Sequence, residues 1–249
     1  MNTKKIYSAL AAIILVAATA FGAIAAPAAV SDKKEVKREA AVEPRVSAPL
    51  NLAILIQDDL VSRVGSEIKL TREFIRTLPA GSRVLVGYIR SGSLQVRQPF
   101  TTDLERAAQS LRIPAGTTAV SAFNPYVEVR EALKSFPEAG QNRNALLLIS
   151  DGLDTSRGFD FSSTVNSIDL ERAVREANRR GVAIYSFYAP SAGLTSRNRQ
   201  AVSFGQSALN RISNETGGKA FFQGTSFVTF NAYFENFSKT LNRQSGGAY

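Results

Sequence analysis

Three short apolar runs, each ending in polar or turn residues and separated by stretches of helical spacing, predict an α/β fold. Its expected form is a three-layer α/β/α sandwich with a mostly parallel central sheet and one antiparallel edge strand. Residues 52–56 (LAILI) end in Gln57-Asp58-Asp59, residues 145–149 (ALLLI) in Ser150-Asp151-Gly152, and residues 182–188 (VAIYSFY) in Ala189-Pro190. Each run is too short for a core helix and too continuous for a strand with one wet face, so helices must cover both faces of the sheet. The crevice at the carboxyl ends of such strands is where ligands bind.

The remaining elements follow in order. Val64, Ile68, Phe74, Ile75 and Leu78 share one face of a first helix, which Pro79-Ala80-Gly81 stops. Residues 83–89 read as a strand, Ser91-Gly92 as a two-residue turn, and 94–98 as the return strand of a hairpin at the sheet edge, with Arg97 and Gln98 guarding that edge. Thr102 to Glu105 has the form of a capping box, and Leu104, Ala107, Ala108 and Leu111 stripe the helix behind it. Asn124-Pro125 opens another helix with Tyr126, Val129, Leu133 and Phe136 inward. Beyond Asp151 comes a long polar loop, and then a helix from Ile168 to Arg180 striped by Leu170, Ala173, Val174 and Ala177. After 182–188 and a basic loop, Leu209 and Ile212 mark a helix closed by Gly217-Gly218. Residues 219–222 are a short strand, and Phe230, Tyr233, Phe234, Phe237 and Leu241 stripe the last helix.

The chain has 249 residues, 44% of them hydrophobic, enough for one substantial core without a second domain. The expected organisation is a signal peptide at 1–25, a flexible linker at 26–49, the folded domain at 50–244 and a disordered tail at 245–249. Lys4 and Lys5, an apolar stretch and the small-residue pattern Ala23-Ile24-Ala25 form the export signal, which places the chain in the periplasm or outside the cell. The alternative is an uncleaved inner-membrane anchor at 6–30. Cleavage after Ala25 would remove the two lysines and no acid, lowering the formal charge from +9 to +7. A basic surface favours anionic partners, and weak contact with anionic surfaces is one expectation. The arginines are scattered without interleaved aromatics, so no specific nucleic acid is expected.

Cysteine and histidine are both absent. That excludes disulfides, Cys- or His-ligated metals, thiol nucleophiles and the His-dependent triads. Only carboxylates, Lys, Tyr, Ser and Thr remain for chemistry, and no pair among them has the spacing of a nucleophile and its base.

Three loops nonetheless offer oxygens at the carboxyl edge: Gln57-Asp58-Asp59, Thr117-Thr118 and Ser150-Asp151-Gly152. The order of elements, the Ser-Gly hairpin, the Thr-bearing loop, ISDGLD and the late ISNETGGKAFF together resemble the Rossmann-like von Willebrand factor type A domain. The similarity covers roughly residues 50–243, in particular to the von Willebrand factor-related proteins exported by acidobacteria. The resemblance implies a metal-ion-dependent adhesion site: an Asp-x-Ser-x-Ser motif after the first strand, a middle-loop Thr and an Asp after the fourth strand. By position the motif falls on Gln57, Asp59 and Val61, the Thr on Thr117 or Thr118, and the last Asp on Asp151. A one-residue shift puts Asp58, Leu60 and Ser62 in the motif.

The metal candidates are therefore Asp59, Thr117, Thr118 and Asp151, with Mg²⁺ the suitable cation. A neutral amide at 57 and an apolar residue at 61 favour no bound cation, leaving Asp59 and Asp151 as helix-cap and turn residues. The expected function is a non-enzymatic protein-binding module of adhesion type whose partner meets the carboxyl-end face through Gln57, Asp58, Ser62, Asp154, Phe159 and Phe161. The alternatives are a metal-dependent or phospho-accepting envelope enzyme, and an envelope scaffold held on anionic surfaces.

Overall fold

A computed structural model describes residues 45–61, 63–116, 124–137, 142–158, 167–222 and 229–245. The export signal, most of the linker, Ser62, Thr117, Thr118, Phe159, Phe161 and residues 246–249 lie outside the described residues. None of the described helices is long and apolar enough to cross a membrane.

The described elements are β1 (Leu50–Gln57), α1 (Val64–Arg76), β2 (Arg83–Arg90), β3 (Ser93–Thr101), α2 (Leu104–Gln109), α3 (Pro125–Leu133) and β4 (Arg143–Ser150). They continue with α4 (Ile168–Arg179), β5 (Val182–Tyr188), α5 (Arg199–Glu215), β6 (Ala220–Phe221) and α6 (Phe230–Ser245). They build one sheet of order β3-β2-β1-β4-β5-β6, parallel except for β3. The strand order reverses between β1 and β4, so the tips of these two strands flank the crevice of the sheet.

The apolar runs behave as double-faced strands must. Leu52, Ile54 and Ile56 of β1, with Ala145, Leu147 and Ile149 of β4, enter one core beneath α1, α2 and α6. Ala53 and Leu55, with Leu146 and Leu148, enter the other beneath α3, α4 and α5. The alternation follows from the period of two along a strand. Phe187 anchors the first core against Phe221, Phe230, Tyr233, Phe234 and Phe237 at centroid distances from 4.9 to 6.0 Å.

The hairpin turn has φ of 49° at Ser91 and 70° at Gly92. Two consecutive positive φ values give the turn whose twist matches the paired strands, and Gly92 adopts the conformation without strain.

Several boundaries differ from the sequence reading. The packed domain starts before Leu50: Val46 is buried, and Asn242 of α6 accepts from the Ser47 N–H at 2.9 Å and donates to the Arg45 carbonyl at 2.7 Å. A charged, aperiodic segment hid this single inserted valine. The expected capping box is replaced by Asp103, whose carboxylate accepts from the Arg106 N–H at 2.9 Å, while Glu105 pairs with Arg76 at 2.7 Å. β3 runs on to Thr101 through a register irregularity, and Gln98 turns inward and is buried instead of guarding the edge. Helix α5 begins at Arg199, ten residues before the first bulky marker, because its buried stripe uses Ala201, Val202, Gly205 and Ala208.

Candidate functional site

The register pairs Ile56 with Ile149, which places Gln57 beside Ser150 at the tips of β1 and β4. From there the Gln57 amide reaches both loops. Its Oε1 accepts from Ser150 Oγ at 2.6 Å and from the Asp151 N–H at 3.0 Å. Its Nε2 donates to Asp59 Oδ1 at 2.7 Å. A primary amide has an acceptor and a donor on one rigid plane, so one buried side chain ties the loop after β1 to the loop after β4.

Asp151 is 3% exposed. Its Oδ1 accepts from the Leu153 N–H at 3.1 Å and its Oδ2 from Thr195 Oγ1 at 3.1 Å. Thr195 Oγ1 also receives the Ser191 N–H at 2.8 Å and lies 3.0 Å from Ser191 Oγ. Burial, and then the negative charge of Asp59, push the Asp151 carboxyl up to about 6. Asp59 is raised as well, chiefly by burial, with the Gln57 hydrogen bond opposing it.

The loop after β5 closes the site from the other side. The Val61 N–H bonds the Pro190 carbonyl at 3.0 Å, Leu60 pairs with Ser191, and the Ala192 N–H bonds the Asp59 carbonyl at 2.8 Å. Ser191 and Thr195 are site residues that the sequence reading missed. Their only signal was a pair of hydroxyls four apart directly after the Ala189-Pro190 strand end.

The close seat of helix α5 completes the arrangement. Gly152 has φ of 77°, and a Cβ there would lie 2.3 Å from the Gly205 carbonyl oxygen; a Cβ on Gly205 would lie 1.9 Å from that of Asp151. Backbone therefore meets backbone between the β4 tip and α5, and neither position tolerates a side chain.

Asp58 points away from this cluster. It is 2% exposed and takes a two-pronged pair from Arg112, with Nη2 to Oδ2 at 2.9 Å, plus the Ala115 N–H at 3.0 Å. The Arg112 guanidinium lies 4.1 Å from the centroid of the Tyr88 ring, and the Tyr88 hydroxyl donates to the Arg112 carbonyl at 2.6 Å and accepts its N–H at 2.7 Å. Asp58 thus anchors the loop at 111–116 internally and does not present its carboxylate to a partner. Gln57, 1% exposed, does not either. The shifted motif also fails, since Leu60 sits wholly in the core. Asp154 is half-buried and holds the next loop, accepting from Ser156 Oγ at 2.6 Å and Ser167 Oγ at 2.9 Å.

As arranged, the oxygens at the β1 and β4 tips do not fit a hard divalent cation. Asp59 Oδ1 and both oxygens of Asp151 accept protein protons, Gln57 turns N–H toward the carboxylate, and Val61 has no side-chain oxygen. No group of three acidic residues with metal-holding geometry occurs among the described residues.

No family model matches the chain, and no curated protein matches it. Solved structures do. A conserved protein, BatB, from Bacteroides thetaiotaomicron superposes with a TM-score of 0.55 at 12% identity, covering 80% of this chain and 100% of its own. An aerotolerance-related membrane protein from Bacteroides fragilis gives 0.53 at 12% identity, covering 78% and 99%. The VWA domain of SpRpn10 is a looser match, at 0.42 and 12% identity, covering 78% and 95%. The first two share this chain's fold, and the sheet order with its single antiparallel edge strand is that of a von Willebrand factor A-like α/β fold.

Proposed function

We propose that the protein is an exported, non-enzymatic binding module of von Willebrand factor A type whose adhesion site is degenerate and works without a bridging cation. The observation that carries this reading is the Gln57 amide, which makes between Asp59 and Ser150-Asp151 the link that an ion would otherwise make. A site cross-linked by neutral hydrogen bonds engages its partner through the rim around it.

The rim has the character of such a surface. Of the four large hydrophobic residues exposed among the described residues, Ile113, Val127 and Ile168 lie on carboxyl-end loops or in the first turns of helices that start there. The fourth, Val96, is on β3. Apolar side chains gathered where scaffold loops converge favour protein binding. The hydroxyl–carboxylate pair Thr195–Asp151 is the nearest approach to an acid-base couple, but both residues are under 5% exposed and committed to the loops they hold, which weighs against catalysis. The test is co-precipitation from envelope extract in EDTA. A partner retained in EDTA and lost with Ile113→Ser/Ile168→Ser supports the reading; a partner released by EDTA, or indifferent to both substitutions, refutes it.

A further inference from the structure

At the amino end of the sheet, the pole opposite the candidate site, the last turn of α6 and the first residues of β1, β4 and β5 enclose a cavity of about 200 Å³. The strand register creates it. Leu50 of β1 pairs with Arg143 of β4, and Ala145 of β4 pairs with Ala183 of β5, so two small side chains stand side by side on the α6 side of the sheet. Leu50, Ala145, Ala183 and Leu241 make the wall mostly apolar, and no acidic side chain among the described residues lines it.

One charged group belongs to this wall. Arg143 donates from Nη1 to the Leu241 carbonyl at 2.8 Å, near the C-terminal end of α6, which fixes the guanidinium in place. Its Nη2 is buried and has no hydrogen-bond partner, and Arg143 is the only charged residue among the described residues with such an orphaned atom. Exposed arginines such as Arg97 and Arg106 keep their guanidinium groups in water, where an unfilled donor costs little. A buried donor does cost, and calls for an acceptor. The other polar side chains at the wall are committed: the Tyr185 hydroxyl donates to Gln244 Oε1, Gln244 Nε2 to the Gly217 carbonyl at 2.7 Å, and Asn144 Oδ1 accepts from Asn51 Nδ2 at 2.9 Å.

We infer that this cavity binds a small monocarboxylate with an apolar body, its carboxylate received by the orphaned Nη2 of Arg143 and its body by Leu50, Ala145, Ala183 and Leu241. The assignment is independent of the carboxyl-end face and of the function proposed for it. The volume fits, since about 150 Å³ accommodates a benzene ring. The wall fits as well: an apolar lining with one placed polar group is the make-up of a small-molecule site. A charge-assisted hydrogen bond from a guanidinium to a carboxylate is about twice as strong as a neutral one, and a neutral ligand of the same shape forfeits it. An inorganic oxyanion forfeits the apolar contact instead and meets a single guanidinium.

The experiment titrates the full chain with benzoate, with its neutral isostere benzamide and with sulfate, followed by saturation-transfer NMR and by protein–ligand Overhauser contacts. The variants are Arg143→Gln, which removes the charge; Ala183→Leu, which fills the cavity; and the control Arg97→Gln, which removes an equal charge at an exposed position on β3. Circular dichroism establishes that each is folded. The expected result is saturable benzoate binding with contacts to the methyl groups of Leu50, Ala145 and Leu241. Benzamide and Arg143→Gln should each weaken it about tenfold or more, Ala183→Leu should abolish it, and Arg97→Gln should leave it unchanged. If Arg143→Gln does not fold, the benzamide comparison and Ala183→Leu decide alone. No saturable binding, equal binding of benzamide, or binding that survives Ala183→Leu overturns the inference. So does sulfate that binds as tightly as benzoate and displaces it, which would make Arg143 a site for inorganic anions.

Discussion

Replacing Gln57 by Glu changes one N–H into an oxygen at the point where the two loops are tied. The Oε1 contacts to Ser150 and the Asp151 N–H survive, but the Nε2 donor 2.7 Å from Asp59 Oδ1 is lost and an oxygen faces an oxygen. A hydrogen bond to a charged group contributes about 1.5–3 kcal/mol, and a further buried carboxylate adds repulsion that proton uptake partly relieves. The expected loss is about 3 kcal/mol near neutral to alkaline pH, which for a domain of this size lowers Tm by about 6–12 °C. In acid one proton shared between the introduced carboxylate and that of Asp59 restores a donor, and the loss shrinks to about 1 kcal/mol. Because Gln57→Glu brings a third carboxylate to Asp59 and Asp151, Mg²⁺ at about a hundredfold excess over its Kd should return about 2.7 kcal/mol to the variant. Thermal denaturation followed by circular dichroism, at alkaline and acid pH, with and without Mg²⁺, reads all of these. A variant that melts with the wild type in alkaline, Mg²⁺-free buffer, or a wild type that gains as much from Mg²⁺ as the variant, refutes the role given to the amide.

Three other outcomes follow from the same contacts. Asp151 has its folded pKa raised to about 6, so the folded state binds the proton more tightly than the unfolded chain; stability should rise as pH falls through about 6 and level off near 4, by about 1–3 kcal/mol. Denaturant titrations across that window should show this dependence flattened in Asp151→Asn. Arg112→Met removes the two-pronged partner of buried Asp58, leaving it the looser Arg90 and the Ala115 N–H, and should cost about 2–4 kcal/mol in urea unfolding, while Arg63→Met on the exposed rim should cost less than about 0.5. Gly205→Ala drives a methyl group into the Asp151 carbonyl; the expected loss exceeds about 2 kcal/mol, whereas Gly193→Ala, with open space around it, should be close to neutral.

Much of the fold was legible because the strands are buried on both faces, and continuous apolar runs such as LAILI and ALLLI announce that condition without any knowledge of partners. The helices with bulky stripes, α1, α4 and α6, were legible for the same reason. Helix α5 was legible only in its second half, from Leu209 and Ile212; its first half packs so close to the β4 tip that Ala201, Gly205 and Ala208 line much of it, and small residues give little hydrophobic period. The site was legible in its location and not in its wiring. Gln57 reads in sequence as a lost ligand; only the pairing of Ile56 with Ile149 shows that its amide spans two loops. Asp58 and Asp59 are adjacent and chemically identical, yet successive residues leaving a strand point to opposite sides, one to Arg112 and the other to Gln57. Thr195 lies 44 residues beyond Asp151, a separation that spacing alone does not bridge.

In the proposed reading the amide of Gln57 stands where an adhesion-type site would hold a cation. Isothermal calorimetry of the full chain with Mg²⁺, Mn²⁺ and Ca²⁺, alongside Asp151→Ala and Asp59→Asn, tests it most directly. The wild type is expected to give no saturable heat that either substitution removes; a saturable heat abolished by both would contradict the proposed cation-free site.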